Sequence, residues 1–199
     1  MKRLLIINII LILLIYIIPS KNIEITKEEI IQITETIKIT NRGMEQKRNI
    51  KNLNIDVNSD LRILSNLTAD EYNKMLENTE LNNLGNALEK AEKEYGINGL
   101  YLIGLACLES GYGKSEFARK RNNLVGWNAV NSNPNKASYF ESKEECILYV
   151  AKRLKTNYLN KNGCYFNGYS ARAIDVKYCT DKKHADKIIQ IINKLKVRL

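Results

Sequence analysis

From Asn58 onward, the apolar positions of this chain recur mostly at helical spacing. Thr68-Ala-Asp-Glu71 is a capping box, in which hydroxyl and carboxylate satisfy the first free N–H groups of a helix. Tyr72, Met75 and Leu76 follow it on one face. Leu84, Leu88, Ala91 and Tyr95 predict a second helix, and Gly96 stops it. The run Gly99-Leu-Tyr-Leu-Ile-Gly-Leu-Ala-Cys-Leu108 is apolar on every side, the pattern of a central buried helix. Ser142-Lys-Glu-Glu145 is a second capping box, opening a helix with Ile147, Val150, Ala151, Leu154 and Tyr158 inward. A last helix turns Ala185, Ile188, Ile189, Ile192 and Leu195 inward. Residues 110–141 and 160–180 are loop-like, and no internal repeat is present. The outline is a mostly helical domain over 58–199, with a polar, aromatic loop layer around one carboxylate.

The N-terminal part follows other rules. Lys2 and Arg3 precede the apolar run Leu4 to Ile18, which has the charged and hydrophobic regions of a secretory signal. It is shorter than the ~20 residues of a usual spanning helix. Its exit, Ile18-Pro19-Ser20, lacks a small-x-small cleavage site. Residues 1–20 are therefore a signal peptide or, preferably, an uncleaved signal anchor with its positive end inside. Within 21–57, residues 31–40 and 50–57 alternate apolar and polar around Asn41-Arg-Gly43. That pattern predicts strands in a loose hairpin, or a membrane-proximal linker, since nothing there builds a core.

The net charge of +9 changes the picture only outside the fold. Lys2 and Arg3 carry two of these charges, so the remainder is still near +7. With an export signal in front, anionic cell wall is a better partner than nucleic acid. Cys107, Cys146, Cys164 and Cys179 match no zinc or redox spacing, and four thiols allow three full pairings. Cys107 and Cys146 read as small core residues, while Cys164 and Cys179 could pair across a loop.

The candidate chemistry centres on Glu109, at the end of the apolar helix. Burial there raises a carboxyl pKa, so the group can hold a proton near neutral pH and donate it. Ser110-Gly-Tyr-Gly113 follows, a turn that frees backbone for the close approach of a ligand. The competing reading is a helix-end carboxylate paired with a lysine.

These residues resemble a known family. Leu100-Tyr-Leu-Ile-Gly-Leu-Ala-Cys-Leu-Glu-Ser-Gly-Tyr-Gly-Lys-Ser115 resembles the catalytic segment of bacterial N-acetylglucosaminidases of glycoside hydrolase family 73. Asn122-Asn-Leu-Val-Gly126 resembles the family's Asn-Asn-Leu-Phe-Gly loop, with Val125 in place of the aromatic residue. Ser138-Tyr-Phe-Glu-Ser-Lys-Glu-Glu-Cys-Ile147 is similar to its aromatic-Ser-x-x-Glu-Ser helix start, with Cys146 replacing Ser. Tyr178-Cys-Thr-Asp-Lys182 is similar to its Tyr-Ala-Thr-Asp-Pro segment, with Lys182 replacing Pro. The resemblance covers roughly residues 65–195, and four ordered motifs make it specific. It implies a lysozyme-like α+β fold, predominantly helical. It also implies hydrolysis of the β-1,4 bond after N-acetylglucosamine in peptidoglycan glycan strands, with no cofactor and no metal.

On that reading Glu109 is the general acid. A second acidic candidate falls at Glu141, with Glu144 and Glu145 as neighbours committed to the helix start. The substrate's acetamido group could instead act as nucleophile, and Tyr178 would then orient it or stabilise charge. Sugar faces stack on aromatic rings, which brings in Trp127, the only tryptophan, together with Tyr112 and Tyr165. Asn123 could bond substrate or, the favoured reading, its own loop. Three other functions compete. A lytic transglycosylase shares the fold and the single Glu. A non-catalytic wall-binding module needs no acid. A Cys-His peptidase would pair Cys107 with His184, the only histidine, but a thiol inside an apolar helix is inert. One histidine also argues against a zinc amidase.

Overall fold

The computed structural model describes residues 26, 28–37, 52–128 and 137–199. The chain forms two compact units, Met1–Asn49 and Ile50–Leu199. The hydrophobic segment 1–20 lies outside the described residues.

In the first unit residues 28–37 form a helix, α1, which overturns the strand reading over 31–37; residues 38–51, with the expected turn at Asn41-Arg-Gly43, lie outside the described residues. The reason is local. The Thr26 hydroxyl accepts from the Glu29 N–H at 3.2 Å, and the Glu29 carboxylate accepts from the Thr26 N–H at 2.9 Å. This capping box starts a helix that the alternation of Ile31, Ile33 and Ile37 does not prevent, because Ile30, Ile33 and Ile37 also fit helical spacing. The described part of the second alternating run is not a strand either. Residues 52–55 carry no regular secondary structure, and Ile55 is buried in the core of the second unit.

That unit holds α2 (Ala69–Leu76), α3 (Gly85–Tyr95), α4 (Gly99–Ser110), α5 (Glu116–Arg121), α6 (Lys143–Asn157), α7 (Ala171–Tyr178) and α8 (His184–Lys196). Among the described residues there is no strand, so the predominantly helical reading holds. The Thr68 capping box forms in full. At Ser142 only half of one forms. The Ser142 hydroxyl accepts from the Glu145 N–H, but the Glu145 carboxylate accepts from the Glu141 N–H, one residue earlier than the motif requires.

α4 is the axis of the unit, and every residue from Gly99 to Cys107 is buried. Around it α8 packs on α4, α6 on α3, and α3 on α2. Gly104 permits the close approach of α8 to α4. A Cβ there would sit 2.7 Å from Ile192 Cγ1 and 2.9 Å from Ile188 Cγ2. Gly104→Val should force α8 off α4 and destabilise the fold by roughly 1–3 kcal/mol or more. A urea-unfolding midpoint unchanged from wild type would show that the two helices do not meet at this position.

Candidate active site

The geometry of α4 decides where Glu109 points. At the start of the helix the Asn98 side chain accepts from the N–H groups of Leu100 and Tyr101. At its end Gly111 takes the left-handed conformation, with φ 56°. Buried Ser110 locks the turn, donating to the Ala106 carbonyl at 2.5 Å and accepting from the Gly113 N–H at 2.8 Å. The expectation that this turn opens backbone to a ligand is corrected at Gly113. A Cβ there would meet Glu80 and Leu81 at 2.8 Å, so the glycine lets the turn pack on protein.

Glu109 thus stands in the wall of an open groove of about 360 Å³. Val125, Trp127, Tyr158, Tyr178 and Cys179 line the same groove. Glu109 is not sealed in an apolar pocket, because its side chain is 27% exposed. Its neighbour is a buried histidine. His184 Nε2 lies 2.8 Å from Glu109 Oε1, and His184 Nδ1 lies 2.8 Å from Asp175 Oδ1. Asp175 Oδ2 in turn accepts from the Ala185 N–H at 2.6 Å. Burial works against charge on His184, but its hydrogen bonds to Asp175 and Glu109 outweigh it and raise the imidazole to about 10. A charged imidazole donates from both ring nitrogens, one to each carboxyl group. The helix-end carboxylate is paired, as the competing reading held, but with a histidine instead of a lysine.

Tyr178 stacks on the His184 ring with centroids 5.6 Å apart. Burial, then Glu109, pushes its phenol well up, so it remains a neutral hydroxyl. Tyr158 meets Tyr178 at 5.9 Å and Tyr165 meets Tyr158 at 5.1 Å, which extends an aromatic wall outward from the histidine. Tyr165 itself does not line the groove. Trp127 packs edge-on against Tyr149 and is held by Asn123, whose side chain accepts from the Trp127 N–H at 2.8 Å. The same Asn123 amide donates to the carbonyls of Trp127 and Ser138. Asn123 is buried with its bonds filled, so it shapes the groove by fixing the loop and does not face a sugar.

Two predicted residues lie elsewhere. Tyr112 is half-buried with φ 58°, in the turn that packs towards Glu80, and does not line the groove. Glu141 is exposed and absent from the groove wall; its backbone bonds Glu145 and Asn122. All four cysteines are free thiols, Cys164 exposed and Cys179 partly so. Burial pushes the Cys107 thiol up to about 12, and His184 is engaged by the two carboxylates, so the Cys-His pairing does not form. Among the described residues no group of three or more His, Cys, Asp or Glu side chains could hold a metal ion. Sequence reasoning missed Asp175, Tyr158 and the true partner of His184. No motif joins Asp175 to His184, and only the turn between α7 and α8 brings them together.

A helical domain with one carboxylate at the end of its central helix, facing an aromatic groove, is the architecture of lysozyme-like glycosidases. The chain belongs to the glucosaminidase family, whose model, described as mannosyl-glycoprotein endo-beta-N-acetylglucosaminidase, matches residues 85–197. Two Streptococcus pneumoniae proteins assigned as endo-beta-N-acetylglucosaminidases, from strains TIGR4 and R6, are each 33% identical over 146 residues, or 70% of this chain. The chain spans only 22% and 21% of their lengths. In fold it is similar to autolysin E of Staphylococcus aureus, solved with the disaccharide NAG-NAM and with the muropeptide NAM-L-Ala-D-iGlu. Both structures align with a TM-score of 0.59 at 24% identity, over 73% of this chain and 75% of theirs.

Proposed function

We propose that this chain hydrolyses the β-1,4 bond after N-acetylglucosamine in peptidoglycan glycan strands, with Glu109 as general acid. The observation that carries the reading is the Glu109 side chain in the wall of the groove that Trp127 and Tyr178 also line, with the His184 imidazole 2.8 Å from its Oε1. Family membership and the NAG-NAM ligand of autolysin E support the choice of bond. Trp127 offers a ring face for a sugar, and Tyr158 lines the same groove, with Tyr165 packed behind it. Tyr178, buried and neutral, is placed to orient the acetamido group or stabilise developing charge. Its position on the groove wall favours it over Glu141 as the assisting group. Substrate-assisted attack then supplies the second half of the reaction.

The basic, apolar N-terminus supports export and anchoring through residues 1–20, with 21–57 as a linker. Among the described residues no helix is long and apolar enough to cross a membrane, and residues 1–20 lie outside them. Anchored there, the enzyme would work on glycan close to the membrane.

A lytic transglycosylase is the second reading. What favours it is that Glu109 is the single carboxylate lining the groove among the described residues. Mass spectrometry of muropeptides from purified walls separates the two. New reducing-end N-acetylglucosamine is expected. Anhydro-muramic ends would establish the transglycosylase, and binding without cleavage would reduce the chain to a wall-binding module.

A further inference from the structure

We propose that His184, oriented by Asp175, is the proton store of Glu109, so that the acid is reloaded from within the protein instead of from solvent. The inference rests on the reading of Glu109 as the general acid. Glu109 stands 27% exposed in an open groove, and an acid that gives up its proton each turnover has to be resupplied. His184 is the group in position. Its side chain is 6% exposed, its Nε2 is 2.8 Å from Glu109 Oε1, and its ring cannot turn away. Asp175 holds Nδ1 at 2.8 Å and is itself fixed by the Ala185 N–H, while Tyr178 covers the ring face. The Nδ1 bond also sets the tautomer: when His184 is neutral its proton stays on Nδ1, leaving Nε2 free to accept one back.

The pair has two forms with the same number of protons, imidazolium beside carboxylate and imidazole beside carboxylic acid. In the transfer, the Nε2–H bond breaks and an O–H bond forms on Glu109. Glu109 then gives that proton to the glycosidic oxygen as the bond to the anomeric carbon breaks. Neutral His184 and the Glu109 carboxylate remain. Water entering at the sugar loses a proton to Glu109, which passes it to Nε2 and restores the resting pair. The net change is the addition of one water. His184 does not touch the sugar, so it is a positioning residue acting through Glu109.

The groups facing the imidazole set its working range. They are Glu109 from α4, Asp175 and Tyr178 from α7, and Asp181 in the turn before α8; behind them the buried, unbonded Tyr101 hydroxyl of α4 and Arg172 of α7 lie within electrostatic reach of Asp175, and Tyr158 within reach of Tyr178. The two bonded carboxylates dominate and keep His184 charged through neutral pH.

The test is the pH profile of glycan cleavage by the full chain, for wild type and for His184→Gln, Asp175→Asn and Glu109→Gln. Circular dichroism checks that each is folded. His184→Gln is expected to lower kcat at pH 7 by about 10-fold or more with KM little changed, and to move the alkaline limb down by roughly two pH units. Asp175→Asn is expected to shift the limb the same way by less. In His184→Ala, added imidazole should restore part of kcat. A folded His184→Gln enzyme with wild-type kcat and limb overturns the proposal, as does a loss of kcat with an unmoved limb and no imidazole rescue. If Glu109→Gln stays active, the underlying reading of Glu109 fails instead, whatever His184 does. Should His184→Gln not fold, the Asp175→Asn limb decides, and an unmoved limb overturns the proposal.

Discussion

Glu109→Gln should slow glycan cleavage by about 10² to 10⁴-fold at pH 7, the usual worth of a positioned general acid. Gln keeps the size and one oxygen of the side chain, so the groove between Trp127 and Tyr178 keeps its shape and KM should change little. On the proposed role, what is lost is the group that takes a proton from one side and delivers it on the other. The substitution also removes one of the two carboxylates that raise His184. A histidine raised in the folded state adds stability that is fully present below its unfolded pKa of about 6.5 and is lost as pH rises through the folded value. That folded value is about 10, so the contribution of the pair fades across this window. The variant should therefore melt below wild type at pH 6, and the gap should narrow as pH approaches 10. Activity within a factor of a few of wild type would remove Glu109 from the acid role. A melting gap that widened with pH would mean that His184 is not charged in the folded state.

Much of the helical unit was legible before any coordinates, and the pattern of failures is physical. Helices with a full cap and a 3.6 period, such as Ala69–Leu76, announce themselves locally. So does α4, because a run apolar on every side has only the centre of a domain to occupy. Glu109 was readable for the same reason, as the one charge at the end of that run. The helix at 28–37 was missed because isoleucine favours strands and its alternation at 31, 33 and 37 matched both periods; the decisive signal, Thr26 to Glu29, is a cap. Asp175 and His184 belong to different helices, and their meeting depends on the turn at Asp181, whose carbonyl accepts from the His184 N–H. Periodicity carries no information about such a turn. The environment of Glu109 failed as a prediction because helix pattern gives position along the axis, not what covers the end.

Glu92→Ala should be among the most damaging single substitutions in the fold, lowering unfolding free energy by about 3–5 kcal/mol. Glu92 is 2% exposed on α3. Its carboxylate accepts from the Ser65 N–H at 2.5 Å and the Gly99 N–H at 2.9 Å. The Ser65 and Tyr72 hydroxyls donate to it at 3.0 and 3.1 Å. One side chain thus ties the segment before α2, the body of α2 and the first turn of α4 to α3. Burial, then Glu92, pushes the Tyr72 phenol well up, which keeps it a donor. Alanine would leave two buried N–H groups unpaired, while the two hydroxyls could still bond each other across 2.7 Å. Gln would keep an acceptor for one N–H but turn an NH₂ towards other donors, so it should cost somewhat less than alanine. Gly99 allows no repair by neighbours, since a Cβ there would lie 1.9 Å from the Tyr72 hydroxyl. For a fold whose whole stability is of order 5–15 kcal/mol, such a loss is a large fraction. Urea unfolding of the full chain at pH 7 measures it, and a loss under about 1 kcal/mol would mean that the carboxylate is dispensable. Glu92 sits among Glu89, Lys90, Lys93 and Glu94, which makes it look solvated, yet it shares the face of Leu88 and Tyr95 at helical spacing. That position, four residues after one core residue and three before a partly buried one, is what takes a charged side chain inside. The surrounding donors are what make it stable there.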